Sequence, residues 1–299
     1  MSATVWEVTI AVLLAVLAFD LALAVIRRNK ETSIKEATAW TIFYVSAAIG
    51  FGYSLGVWNT TQSRNEFFAG WITEYSLSID NLFIFILILA RFKIDKTKQQ
   101  LVLLVGIIMA LVLRGLFIAL GSAAISRYTW VFFIFGAFLL YTAFKLINES
   151  GEKEWKEGRL IGWFRKKGAS PITIVLVAIA VTDLIFALDS IPAIFGLTKD
   201  PYIVFTANAF ALMGLRQLYF LIGGLMSRLI YLTKGLSIIL GFIGVKLIIE
   251  AFHGIGTHIL FGLHIPEISL PFSLTFIIGT LVITTIASLI VSSKSKVAE

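Results

Sequence analysis

Long apolar runs alternate with short polar, mostly basic connections along the chain. Runs near residues 4–26, 36–58, 66–90, 101–123, 129–147, 172–198, 203–226, 235–252 and 272–291 match the roughly 20 residues that a helix needs to cross a bilayer. Nine transmembrane helices are therefore expected. Two runs break the pattern. The third carries Thr73-Glu74-Tyr75-Ser76-Leu77-Ser78-Ile79-Asp80-Asn81 and the sixth carries Thr182-Asp183, Asp189-Ser190 and Pro192. An ionisable group at the centre of a span costs about 2.5 to 3.5 kcal/mol even on a lenient insertion scale, so such groups face a protein interior and mark ion or proton pathways.

Composition agrees with the pattern. Hydrophobic residues make up 58% of the 299 positions, charged residues only 14%, and the mean hydropathy is +0.92. This is the balance of an all-α polytopic membrane protein, one transmembrane domain over 1–299 with the lipid bilayer as its solvent. The pI near 9.5 does not call for nucleic acid, because all the basic residues but Arg114, Lys145, Arg216 and Lys246 sit in the connections and act there as topology signals. With the N-terminus outside, eighteen Lys and Arg fall on the inner side and only Arg64, Arg127 and Lys199 on the outer side, giving an N-out, C-in expectation. The first run is read as a retained helix rather than a signal peptide: it is too long, begins with Glu7 instead of a basic segment, and is followed by Arg27, Arg28 and Lys30. Cysteine is absent, so thiolate chemistry has no residue to carry it.

The two interrupted runs are copies of one pattern. Thr73-Glu74-x5-Asp80-Asn81 matches Thr182-Asp183-x5-Asp189-Ser190 in spacing, Leu113-Arg114 in the next run matches Leu215-Arg216, and Lys145-x3-Glu149 matches Lys246-x3-Glu250. Three matches in one order predict two three-helix units, 66–149 and 172–252, joined by a cytoplasmic linker at 148–171. Three is an odd number, so the second unit enters the membrane from the opposite side. Inverted repeats of this kind belong to alternating-access transporters, with the site between the repeats near mid-membrane.

Glu74, Asp80, Asn81, Asp183, Asp189 and Ser190 form the candidate metal site, with Arg114 and Arg216 as supporting charge. Carboxylate, amide and hydroxyl oxygens suit hard cations such as Mn, Ca or Mg. Pro192 cannot donate to the Leu188 carbonyl, so a helix break is expected beside Asp189. Lys145 and Lys246 read as snorkelling partners of Glu149 and Glu250. His253, His258 and His264 share the loop 253–271 at a spacing that fits no metal motif. Two aspartates on neighbouring helices also raise an intramembrane aspartyl protease, but four acids exceed a dyad and no Gly-x-Gly-Asp element is present. The expectation is a protein that is not an enzyme.

At these residues the chain resembles the TerC (tellurium-resistance protein C) family of integral membrane proteins. The resemblance rests on Ser33-x-Lys35-Glu36-Ala37-x2-Trp40, on Glu74-x-Ser76-Leu77-Ser78-x-Asp80-Asn81, on Phe135-Gly136-Ala137-Phe138-Leu139-Leu140 and on Thr182-Asp183-Leu184-Ile185-Phe186-Ala187-Leu188-Asp189-Ser190-Ile191-Pro192-Ala193. It continues through Thr198-x-Asp200-Pro201 and Ala211-Leu212-x-Gly214-Leu215-Arg216. It implies a multi-pass protein of the bacterial cytoplasmic (inner) membrane that exports a divalent cation, manganese first, in exchange for protons, with tellurium resistance as an associated phenotype. Mn2+ would be cargo rather than a resident cofactor. The alternative class is a membrane scaffold or metal-delivery partner for secreted metalloenzymes, acting through other membrane proteins.

Overall fold

The computed structural model describes residues 1–26, 33–148, 158–222, 229, 231–260 and 263–295. Arg27, Arg28, Lys30, Arg228 and residues 149–157 of the expected linker lie outside the described residues. The described chain forms helices α1 (Ala3–Ile26), α2 (Ile34–Trp58), α3 (Thr61–Arg91), α4 (Lys96–Arg127), α5 (Val131–Asn148), α6 (Arg159–Lys166), α7 (Pro171–Phe195), α8 (Pro201–Met213), α9 (Leu215–Ile222), α10 (Leu232–Gly254) and α11 (Leu270–Ser295). A small hairpin of β1 (Ile259–Leu260) and β2 (Leu263–His264) precedes α11. The protein is an all-α polytopic membrane protein.

Local sequence sets where several helices start. Ser33, Thr60 and Ser170 accept hydrogen bonds from the backbone N–H groups of Glu36, Ser63 and Thr173, and Asp200 accepts from Tyr202 N–H. These caps satisfy donors that a helix start leaves open. Pro171 and Pro201 stand in first turns, where the missing N–H costs nothing.

Among the described residues eight helices are long and apolar enough to cross a membrane. The seventh expected run is divided: α8 ends at Met213, Gly214 follows as its C-cap, and α9 begins at Leu215. The break expected at Pro192 is not there. Pro192 lies inside α7, which continues to Phe195. Only one turn follows the proline, and Ile191, Ala193, Ile194 and Phe195 are all buried, so packing holds that turn although one backbone hydrogen bond is missing.

The α3 helix packs against six others, α2, α7, α8, α9, α10 and α11. Partners exchange between the two expected units: α3 packs on α8 while α4 packs on α7, and α5 packs on α10. The α5–α10 crossing is the closest kind, because a Cβ on Gly136 would stand 2.8 Å from the Gly244 carbonyl oxygen. Small residues at such a crossing let two backbones approach in lipid, where association depends on packing rather than on expulsion of water. The α1 and α11 helices are the most peripheral of the long helices. The α6 helix is one-sided: Ile161 packs with Ile174, Val175 and Ala178, while Leu160, Trp163 and Arg165 are exposed.

Candidate functional site

Glu74 from α3, Arg114 from α4 and Asp183 from α7 meet in the interior. Arg114 is 1% exposed, Glu74 0% and Asp183 2%, so all three ionisable groups have left solvent. The guanidinium donates Nε–H to Asp183 Oδ2 at 3.2 Å and Nη2–H to Asp183 Oδ1 at 2.8 Å. This is the two-pronged geometry that matches a planar cation to a carboxylate. Its third nitrogen, Nη1, donates to Glu74 Oε1, to Asn208 Oδ1 at 3.0 Å and to Ser190 Oγ at 3.4 Å. With all three groups ionised, the set carries one net negative charge.

Neighbouring residues hold the partners in place. Ser78, one turn along α3, donates its hydroxyl to Glu74 Oε1 at 3.0 Å. Asn208 on α8 is buried and donates its Nδ2 to the Val204 carbonyl at 2.9 Å, which aims its carbonyl oxygen at Arg114. Thr73 and Ser76 return their hydroxyls to the Ala69 and Ile72 carbonyls of their own helix. Among the described residues, Glu74 Oε2 is buried without a hydrogen-bond partner. A buried carboxylate oxygen left this way is costly unless a proton or a cation visits it.

Glu74 and Asp183 hold equivalent places in the two repeated motifs, and Arg114 bridges that pair. Ser190 stands at its edge. Asp189 turns instead toward α5, where Thr142 donates its hydroxyl to Asp189 Oδ1 at 2.9 Å. Asn81 is buried on α3. The side chains of Asp80 and Arg216 lie outside the described part of the structure. Among the described residues no group of three or more His, Asp or Glu is placed to hold a metal ion. Arg114 itself occupies the space where Glu74 and Asp183 converge.

Asn208 and Thr142 join the site without having been singled out in the sequence. Asn208 had a signal, since it is the one amide in the apolar segment Pro201–Met213; Thr142 had none. A second polar group lies toward the α7–α8 connection. Thr198 donates to Glu66 of α3 at 2.5 Å, and Lys199 pairs with Glu250 of α10. Lys246 is buried, 9% exposed, and does not snorkel. Its acidic neighbours are Glu250 and Glu66, because α10 is enclosed by α5, α3 and α11 and presents Lys246 inward. His253 and His258 are neighbours, with ring centroids 5.2 Å apart. His253 Nε2 lies 3.2 Å from the Ile265 carbonyl oxygen.

Comparison of the sequence with known proteins places the chain among relatives. Residues 59–296 match the integral membrane protein TerC family, a span that begins just before α3. An uncharacterized membrane protein of Mycobacterium tuberculosis is 39% identical, with 96% of this chain and 79% of the relative covered. An uncharacterized membrane protein of Myxococcus xanthus is 37% identical over 83% of this chain and 84% of its own length. The putative membrane-bound redox modulator Alx of Escherichia coli is 35% identical over 93% and 91%. No solved structure matches the chain.

Proposed function

Since the chain belongs to the TerC family of integral membrane proteins, we propose that it is a secondary transporter that exports a hard divalent cation, manganese first, from the cytoplasm in exchange for protons. The observation that carries this reading is the buried Glu74–Arg114–Asp183 bridge, which joins acids from both repeated motifs across α3, α4 and α7. Ionisable groups held in the core of a membrane bundle face one another or a pathway. Here the equivalent acids of two copies meet, as they do at the centre of an inverted-repeat transporter.

Cation binding would draw on Glu74, Asp183 and Ser190 at the centre and on Asp80, Asn81 and Asp189 along the same two helices. The interrupted seventh run supports the reading, because transporters place broken helices beside their sites. Treating α8 and α9 as one crossing gives nine spans, N-out and C-in. The setting is the bacterial cytoplasmic membrane, and metal tolerance is the expected phenotype. The redox role in the name of the Escherichia coli relative, if thiol-based, has no cysteine to carry it here.

The test is to express wild type, Asp80→Asn and Asp189→Asn in cells stripped of their own manganese exporters, then to measure cellular Mn, Fe, Mg and Ca under manganese challenge. Selective loss of Mn with wild type, and failure of both variants at equal membrane levels, is the expected result. A different responding cation changes the ion and keeps the site. No response to wild type removes the transport reading and favours a scaffold or metal-delivery role.

A further inference from the structure

Arg114 makes more contacts than charge balance requires. A guanidinium that only compensated two acids would need one contact with each. Arg114 instead uses all three nitrogens, and fills the point toward which Glu74 and Asp183 both converge. Two neutral oxygens, Asn208 Oδ1 and Ser190 Oγ, face the same Nη1. They offer the side chain hydrogen bonds that do not depend on either acid. Glu74 Oε2 is left buried and unpartnered among the described residues, so one ligand oxygen remains open beside the bridge.

We infer that Arg114 is a tethered counter-cation: in the ion-free protein its guanidinium occupies the place between Glu74 and Asp183 that the charge of the transported cation takes on loading, and the two exclude one another. The inference rests on the transporter reading and assigns regulation to the same site. A divalent cation arriving at Glu74 Oε2 cancels both carboxylates, whereas Arg114 cancels one. The guanidinium then shifts onto Asn208 and Ser190. The return of Arg114 to Glu74 and Asp183 displaces the cation, which favours release, and then repels a second one. Because the bridge ties α3 to α7, its opening and closing also couples occupancy to the packing between the two repeated units.

Mn2+ binding separates this role from a structural one. Free aqueous Mn2+ has a six-line electron paramagnetic resonance signal that disappears on binding, so affinity can be read without transport. The full chain in nanodiscs is compared as wild type, Arg114→Lys and Arg114→Gln, with Mn2+ as probe, and turnover is followed in proteoliposomes. Lysine keeps the charge but loses the planar fork. Removing a competitor that holds the site in most molecules should tighten Mn2+ binding by about tenfold or more in Arg114→Gln. Arg114→Lys should fall between that variant and wild type. Turnover should fall in the same order, because a tightly held ion leaves slowly.

A structural arginine would move binding and transport together, so loss of both in the variants overturns the inference while wild-type binding leaves the transporter reading standing. Equal affinity in wild type and variants overturns it as well. Should Arg114→Gln not fold, Arg114→Lys carries the comparison, and affinity equal to or weaker than wild type rejects the competition. Absence of Mn2+ binding in every protein, together with no export in cells, removes both the reading and the inference.

Discussion

Arg114 sits between two acids because neither acid can be buried alone. Removing one partner of a buried ion pair leaves an uncompensated charge and costs about 3 to 5 kcal/mol. Asp183→Asn and Arg114→Gln should each lower stability in that range in a detergent unfolding titration. The double variant should cost less than the sum, with a coupling of about 1 to 3 kcal/mol; strict additivity would show that the bridge is not formed in the folded protein. The Asp189 contact is lighter. Thr142→Val removes one hydroxyl donor and should cost about 1 kcal/mol, with a larger effect on export than on thermal stability if Asp189 visits the ion.

Among the helices, α5 and α10 depend on backbone approach. A side chain on Gly136 meets the Gly244 carbonyl and the Ile248 backbone nitrogen, and backbone cannot rotate aside as a side chain can. Gly136→Val should therefore force the helices apart at a cost of about 1 to 3 kcal/mol or more, read as a lowered melting temperature in detergent. Gly214 presents the opposite case. It lies in right-handed helical backbone, φ −79 and ψ −16, and a Cβ there would stand 3.5 Å from Tyr75 Cε2, an ordinary contact. Alanine fits and stabilises helix by roughly 0.5 to 1 kcal/mol relative to glycine. Gly214→Ala should keep or raise the melting temperature while slowing transport, because it stiffens the joint between α8 and α9. Unchanged turnover would mean that the joint does not bend in the cycle.

Over the whole molecule the number of crossings sets the side on which each connection lies. The absence of cysteine makes single-cysteine labelling clean. With α8 and α9 as one crossing, Ser2→Cys and Thr257→Cys should react with an impermeant maleimide from outside, and Lys166→Cys only after permeabilisation. If α8 and α9 instead fold back, Thr257→Cys becomes inaccessible from outside, and the inverted relation of the two units falls with it.

The class of this protein was legible in the chain alone, because bilayer thickness sets helix length and lipid cannot solvate backbone. The runs follow from that local rule, and so does the burial of Glu74, Asn81, Asp183 and Ser190 within them. Glu74 and Asp183 could be named from spacing; that one arginine would clamp both, and that Asp189 would turn to Thr142, could not. Periodicity places a residue on a helix face but does not say which helix stands opposite. Gly214 and Pro192 teach the same lesson: proline removes one hydrogen bond at a known carbonyl, yet tertiary packing holds α7 continuous and permits the interruption in α8–α9. Local sequence determined which segments enter the membrane and which positions carry charge there. Only the tertiary structure decided which charges meet, because long-range packing alone sets the distance between a carboxylate on α3 and another on α7.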